Sequence, residues 1–349
     1  MGNKWFKKFT EWEYWPSYMF YVPNLPYAFY LAIKSGDSTF FSIVNPTIKN
    51  SGNGTESKFE TLKLIPEGYK PKSILINKSK LDYEVIERLH KEGLDYPIIA
   101  KPDIGFRGML VEKIYSDEQL ETYLKKYTIP TILQEFIDLP NECGIFYHRM
   151  PNAEKGKITS VTIKSFLTVQ GDGISTLSEL VLYDNRAKHY YHLFKNLHQK
   201  RWNTIVQKDE FIRLTDIGNH NKGTQFINGN HLIDEQLQEI FDKISKQMKG
   251  WYYGRLDIKY NTFEELKSGK NFVILEVNGT ISEPTHIYDP YHTTYFGGLK
   301  AIRQHWKILF QIAMENKNNG LKSQKFTSYW RDVRGLLAYI KMVKMLSKS

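Results

Sequence analysis

Two short apolar segments in the C-terminal half, Tyr252–Tyr260 and Asn271–Val277, carry charge where a β-strand tolerates it least. The first contains Gly254-Arg255-Leu256-Asp257, and Ile274-Leu275-Glu276-Val277-Asn278 closes the second. A carboxylate inside an apolar strand is expensive unless it is paired or bound to a metal. Side chains two apart on a strand share a face, so Glu276 and Asn278 are expected to project together. Asp257, on a neighbouring strand, can complete a cage of oxygens. Asp, Glu and Asn are hard ligands of the kind Mg²⁺ accepts, usually beside nucleotide phosphates. A buried salt bridge between Asp257 and Arg255 would satisfy the same charges in another way.

Two weaker features add to this pair. Pro97–Ala100 reads as a strand ending in Lys101, followed by the turn Asp103-Ile104-Gly105-Phe106-Arg107-Gly108 and a hairpin partner at Leu110–Ile114. Glycines at 105 and 108 let backbone N–H groups turn toward an anion, and an adjacent lysine supplies a point charge for phosphate. The turn does not fit the Gly-x-x-x-x-Gly-Lys-Ser/Thr pattern, and no Gly-x-Gly-x-x-Gly opens a helix, which argues against P-loop and ordinary dinucleotide folds. Further on, Ile132-Leu133-Gln134-Glu135-Phe136-Ile137 ends a strand in a carboxylate, with Glu142 close behind. Such a strand end can bond an adenine edge, and a second carboxylate can take ribose hydroxyls.

The order of these features resembles the ATP-grasp superfamily of carboxylate–amine ligases, and within it the D-alanine–D-alanine ligase and cyanophycin synthetase branches, over roughly residues 57–315. The resemblance implies an α+β fold in which two α+β subdomains sandwich the nucleotide. It divides the chain into an aromatic N-terminal region for the substrate or a membrane interface (1–56), a central subdomain (57–140), a C-terminal subdomain (141–320) and a basic helix (321–349). It gives Lys101, Lys58 and the loop of Gly105, Arg107 and Gly108 to the phosphates of ATP. Glu135, Phe136 and Ile137 become the adenine hinge, Glu142 the ribose carboxylate and Lys164 a further nucleotide-side lysine. Asp257, Glu276 and Asn278 become ligands of two Mg²⁺ ions, with Mn²⁺ an acceptable substitute. Arg255 and Lys101 become the catalytic pair, Arg255 steadying an acyl-phosphate and the tetrahedral intermediate. Arg186, His220, Lys222 and His286 are candidate contacts for the small-molecule carboxylate and amine substrates, and a homodimer would suit the family.

The stretch Gly171-Asp172-Gly173-Ile174-Ser175-Thr176-Leu177 is similar to one in cyanophycin and glutathione synthetase-like members. The chain departs from the D-alanine ligases after Glu-x-Asn: their Pro-Gly-Met turn is replaced by Gly279-Thr280-Ile281-Ser282-Glu283-Pro284-Thr285-His286. D-alanine is therefore not the expected substrate. A phosphorylating relative that needs no amine, and a membrane-associated protein with a vestigial nucleotide site, stay open as alternatives.

The rest of the chain is read from composition. The 349 residues include 48 Lys and Arg against 38 Asp and Glu, a formal charge of +10, which favours polyanions without choosing among them. The basic residues are dispersed and no recognised nucleic-acid motif appears, so no nucleic-acid partner is expected. The single cysteine, Cys143, allows no intrachain disulfide and points to a reducing compartment, the cytoplasm. No signal-peptide pattern and no 18-residue apolar run are seen.

The first thirty residues hold Trp5, Phe6, Phe9, Trp12, Tyr14, Trp15, Tyr18, Phe20, Tyr21, Tyr27, Phe29 and Tyr30 behind Lys4, Lys7 and Lys8. They read either as a strip packing on the fold or as an interfacial anchor at the inner membrane surface. Helices are expected at Lys58–Leu64, Asp82–Glu92, Ser116–Tyr127, Asp234–Met248 and, basic and amphipathic, Ser328–Ser349.

Overall fold

The computed structural model describes residues 12–77, 83–105 and 108–347. Lys4, Trp5, Phe6, Lys7, Lys8, Phe9 and the expected phosphate ligand Arg107 lie outside them. The chain forms two compact units: Met1–Thr162 together with Asn228–Ser349, and Ile163–Ile227. The architecture is α+β.

The first unit opens with α1 (Tyr18–Tyr21) and α2 (Leu25–Ser35), the latter ending at Gly36 in the left-handed conformation. Helix α3 (Lys58–Leu62) starts where the Ser57 hydroxyl accepts the Glu60 N–H, a side-chain cap for an otherwise orphan donor. Strand β1 (Ser73–Ile76), helix α4 (Tyr83–Lys91), the hairpin β2 (Ile98–Pro102) and β3 (Glu112–Ile114), helix α5 (Asp117–Lys126) and β4 (Thr131–Glu135) follow. Helix α5 is capped by Ser116, with Asp117 and Glu118 in its first turn and Lys125 and Lys126 in its last, the charge order the helix dipole favours. The strands form a sheet in the order β1-β4-β2-β3, every neighbouring pair antiparallel. Its core joins Ile98, Ala100 and Leu133 to Leu89 of α4 and to Leu120, Tyr123 and Leu124 of α5.

Strands β5 (Asn141–His148) and β6 (Lys157–Ser165) come next, and the chain leaves the first unit along β6. The second unit holds the two-stranded β7 (Thr168–Gln170)–β8 (Phe211–Arg213) ladder and helices α6 (Leu177–Tyr183) and α7 (Tyr191–Leu197). They enclose their own core of Leu177, Val181, Phe194, Trp202 and Leu214. The Gly171–Leu177 stretch proves to be the entry to α6. Asp172 accepts the Ile174 and Ser175 N–H groups, and Thr176 and Glu179 form a reciprocal capping box.

The chain returns along β9 (Gln225–Asn228) into α8 (Glu235–Gln247), β10 (Tyr253–Tyr260), α9 (Phe263–Lys267), β11 (Phe272–Asn278), α10 (Tyr295–Asn318) and α11 (Phe326–Leu346). A second sheet runs β11-β10-β5-β6-β9, with β10 antiparallel to both β11 and β5. Leu31, Phe40, Ile43 and Val44 from the N-terminal region pack with Phe146, Tyr253 and the α10 residues Ile308–Ala313. Helix α10, 24 residues long, has no counterpart among the sequence expectations. Cys143 lies inside β5, fully buried. Among the described residues no helix is long and apolar enough to cross a membrane.

Candidate functional site

The strand pair β10–β11 carries the charges that the sequence singles out. Asp257 lies directly opposite Glu276, and Arg255 opposite Asn278. Cross-strand partners share a face, so these four side chains form one polar patch. A β-bulge makes this possible. The register slips between Asp257 and Ile258, so that Ile258 pairs with Ile274 and one residue of β11 is left over. Simple alternation would put Ile274 and Glu276 on the same side. With the extra residue inserted, Ile274 and Val277 face the core while Glu276 turns to the polar side.

Within the patch, Asp257 is held from two directions. The Arg255 guanidinium grips it through Nε and Nη2 at 3.1 and 3.0 Å, and the Asn278 amide donates to it at 2.9 Å. The salt bridge to Arg255 is thus present together with the Asp257–Glu276 pairing. Gly144 of β5 sits opposite Asp257, and a Cβ there would stand 3.0 Å from Arg255 Cδ and 3.5 Å from the Asp257 carboxylate. The missing side chain gives the ion pair its room.

Helix α3 and strand β2 bring two lysines to the same place. Lys58, the first residue of α3, pairs with Glu276. Its backbone is fixed by Asp103, whose carbonyl accepts the Lys58 N–H at 3.1 Å. The Asp103 carboxylate takes the Ser57 hydroxyl at 2.8 Å and the Phe59 N–H at 2.9 Å. Asp103 is buried, and it clamps the start of the glycine turn to the helix that presents Lys58. Gly105 lies against the Lys58 side chain, where a Cβ would be 3.6 Å from Cε. Lys101, on β2, donates to Gln134 at 2.8 Å, and Gln134 in turn donates to Ser73.

The electrostatics show one connected site. Burial pulls the Lys101 ammonium down to about 8 although Glu276, Asp103 and Asp257 all act to raise it. Burial pushes Glu276 up, but Lys58 and Lys101 outweigh burial and the neighbouring Asp257, holding the carboxyl below its ordinary value. Arg255, despite its burial, is held above its ordinary value by Asp257, Glu276 and Glu283. Glu56 is raised by burial, against the pull of Lys58 and of the Gly54 N–H that its carboxylate accepts at 2.6 Å.

The hinge residues follow β4. Glu135 accepts the Lys72 N–H, and its own N–H bonds the Lys72 carbonyl. Phe136 lies beneath Lys113, whose ammonium is 3.5 Å from the ring centroid, with Lys259 at 5.6 Å. Ile137 is the next residue, half-buried. Glu142 is buried opposite Lys259, on the same sheet face as Asp257.

The N-terminal region contributes to this site through residues that the sequence reading did not single out. The buried Asn45 side chain donates to the Ser51 and Tyr253 carbonyls and accepts the Tyr252 and Tyr253 N–H groups, fastening the 45–51 turn to the head of β10. Ser51 and Gly52 then offer their carbonyls to the N–H groups of Thr280 and Ile281, just past β11. Glu283, in the segment that departs from the D-alanine ligase pattern, accepts Tyr21 at 2.5 Å and Tyr288 at 2.9 Å, while its carbonyl accepts Arg255 Nη1 at 3.2 Å. His286 is buried, bonded through Nδ1 to the Ser160 hydroxyl at 2.7 Å, and driven down to about 4 by burial, so it stands there as a neutral ring.

The remaining candidates belong to the second unit. Lys164 is buried near the end of β6. Arg186 spends its guanidinium on the Gly223 and Thr224 carbonyls, at 2.8 and 3.1 Å. The same turn holds His220 and Lys222, with the His220 carbonyl taking the Tyr190 hydroxyl at 3.1 Å. Arg186 therefore braces the turn on which the other two sit.

Among the described residues no three His, Cys, Asp or Glu side chains converge as a metal cluster. The available donors are two carboxylates and one carboxamide, all hard oxygen ligands. They suit a cation such as Mg²⁺ that takes its remaining ligands from phosphate and water. The two carboxylates face each other, and neutralising that like-charge pair falls to cations, here Lys58, Lys101 and Arg255.

Comparison with known proteins gives a partial match. No family model matches the chain. Over 113 residues it is 31% identical to a D-alanine–D-alanine ligase of Borreliella burgdorferi, covering 31% of this chain and 27% of that protein, and 30% identical to the one of Borreliella afzelii over the same length. The match thus spans only about a quarter of these relatives' length. Solved structures found by fold include a D-Ala:D-Ser ligase of Enterococcus faecalis (TM-score 0.41, 13% identity, 79% of this chain and 64% of that one). A D-alanine–D-alanine ligase of Bacillus anthracis complexed with ATP gives a TM-score of 0.40 at 14% identity, covering 75% and 66%. A bifunctional glutathione synthetase of Pasteurella multocida gives 0.39 at 15%, covering 76% and 38%. The chain resembles the ATP-grasp carboxylate–amine ligases in the order of its motifs and in the segment it shares with the Borreliella enzymes.

Proposed function

We propose that this chain is an ATP- and Mg²⁺-dependent ligase that joins a carboxylate to an amine through an acyl-phosphate. One observation carries the reading: Lys58 from the start of α3 and Lys101 from β2 both act on the Asp257–Glu276 pair of the β10–β11 strands. Two cations set against two carboxylates form a receptor for a metal–triphosphate, which needs both signs of charge. Lys58, Lys101 and the Gly105–Gly108 turn then take phosphate oxygens. Glu135, Phe136 and Ile137 meet the adenine, and Glu142 meets the ribose. Asp257, Glu276 and Asn278 hold the metal, which when bound neutralises phosphate charge. The chain divides in this reading into 1–56, 57–140, 141–320 and 321–349.

The chemistry asks for no protein nucleophile. A substrate carboxylate oxygen attacks the γ-phosphorus, the bond to the β-phosphate oxygen breaks and ADP leaves. The amine nitrogen then attacks the acyl carbon, loses a proton, and phosphate departs. Arg255, held in plane by Asp257 and the Glu283 carbonyl, is placed to stabilise the oxyanion in both steps. The test is ADP release from ATP and Mg²⁺ across a panel of carboxylates with and without amines. Glu276→Gln is expected to lower turnover by about 10²-fold or more with an unchanged far-UV spectrum. Full activity in that variant would overturn the metal assignment, and a phosphorylated product formed without amine would make the protein a kinase.

A further inference from the structure

Helices α1 and α2, with the turn Val22–Asn24 between them, make one helical run from Tyr18 to Ser35. Along it Tyr18, Val22, Leu25, Phe29 and Ile33 recur at intervals of four, three, four and four residues, the spacing of a single helix face. All five are exposed, from 41% for Leu25 to 81% for Ile33. The opposite face is packed: Phe20 meets Tyr288 and Tyr295, Asn24 bonds the Leu299 carbonyl, and Leu31 enters the core beneath α10. Between residues 14 and 36 the sequence has no acidic side chain, and Lys34 is its sole charge.

Helix α11 repeats the design with charge added. Tyr339, Val343 and Leu346 join the first core, while Phe326, Trp330, Leu337 and Met345 stand 45–60% exposed. Exposed Arg334, Lys341 and Lys344 fall on the same side as these, at intervals of three and four residues. The helix's one acid, Asp332, is turned inward to Asn50 and Gln324. The end of α2 and the start of α11 are tied together. Thr39 donates to the Gln324 carbonyl at 2.7 Å, Ser42 accepts its N–H at 2.9 Å, and Lys317 reaches the Ser35 carbonyl at 2.9 Å.

We propose that these two stripes form a docking surface for an anionic lipid bilayer, a role independent of the ligase reading. Charge decides between occupants. A second copy would set the cationic face of α11 against itself, and an apolar protein groove would leave its three cations unmatched. A headgroup layer takes aromatic and aliphatic side chains at the acyl boundary and presents phosphates to Arg and Lys. Trp330, Tyr18 and Phe29 are of the type that settles there, and the helices lie on the surface, being unable to span it.

The test is co-sedimentation of the full chain with phosphatidylcholine vesicles, with and without phosphatidylglycerol. Wild type is expected to pellet with the anionic vesicles and to be released by high salt. The double variant Phe29→Asp/Ile33→Asp and the triple variant Arg334→Glu/Lys341→Glu/Lys344→Glu should each bind at least about tenfold more weakly while melting like wild type. The proposal fails if wild type stays in the supernatant with both vesicle types, or if either well-folded variant pellets as wild type does. It also fails if light scattering shows a dimer that Phe29→Asp/Ile33→Asp converts to monomer without any vesicle binding.

Discussion

Glu283 shows how much a single residue contributes to this site. Each of its carboxylate oxygens takes one phenol, from Tyr21 and Tyr288, and its carbonyl holds one arm of Arg255. Burial and Glu283 drive the Tyr21 hydroxyl far above its ordinary value, so it is a permanent donor. Tyr21→Phe keeps the ring against Trp306 and removes only that donor, leaving the Glu283 carboxylate held by Tyr288 alone. The expected result is a fall in kcat of about tenfold with the KM for ATP unchanged, because Arg255 loses positioning and the nucleotide residues do not. A rise in the KM for ATP with kcat intact would place Tyr21 elsewhere in the mechanism. That Lys101, Asp257 and Glu276 come together was legible because charge in an apolar strand is costly wherever it occurs, and Asn278 follows as the residue two beyond Glu276. Tyr21, Asn45, Asp103 and Glu283 were not, since each makes a bond that joins it to a residue from 44 to more than 200 positions away, which no local pattern marks.

At the scale of elements, α1, α2, α6, α7 and α9 were not expected, whereas the helices expected at Lys58–Leu64, Asp82–Glu92, Ser116–Tyr127 and Asp234–Met248 and the β10–β11 pair followed from pattern, with boundaries within about two residues. The bulge in β11 did not: Phe272 through Asn278 alternates well enough on paper, and only pairing with β10 reveals the extra residue. The turn before α3 packs backbone to backbone on the segment after Asn278. There Asn50, Ser51 and Gly52 are all left-handed, at φ 50°, 57° and 79°. A Cβ on Gly52 would lie 2.6 Å from the Gly279 Cα, while one on Gly36, also left-handed at φ 66°, meets nothing within 4 Å. Gly36→Ala should therefore cost only the conformational penalty, about 1 kcal/mol. Gly52→Ala adds a collision with a backbone that cannot yield, for a total of about 2–3 kcal/mol. Urea unfolding of the two variants measures the difference, and equal losses would mean that the two loops do not meet. Helix α10 escaped the sequence because its apolar residues are spread around the axis, serving the N-terminal segment on one side and the sheet on another.

For the whole molecule, one consequence of this packing is a set of buried histidines that makes stability rise with pH across the acid range. Burial pushes His148 and His286 down to about 4, and burial with those two histidines pushes His305 down to about 3. The ordinary value for histidine is about 6.5, so between there and about 4 the unfolded chain binds protons that the folded one refuses. Stability then rises with pH across that window and is lost as pH falls through it, by up to about 1.4 kcal/mol per pH unit for each histidine. Lys101 acts in the same sense higher up: folded at about 8 and unfolded near its ordinary value, it makes the protein more stable as pH climbs through that range. Asp242 and Asp289 are held below their ordinary values, and their contribution is lost only at lower pH, beneath the histidine window. Acid unfolding should accordingly begin near pH 6, earlier than carboxylates alone would cause. His305→Leu tests this, because the Nδ1 atom it removes is buried and unbonded beside the Phe146 ring. Urea midpoints at pH 7, 6 and 5 should fall less steeply in the variant, by about the slope of one histidine, and a slope identical to wild type would show that His305 protonates freely in the folded state.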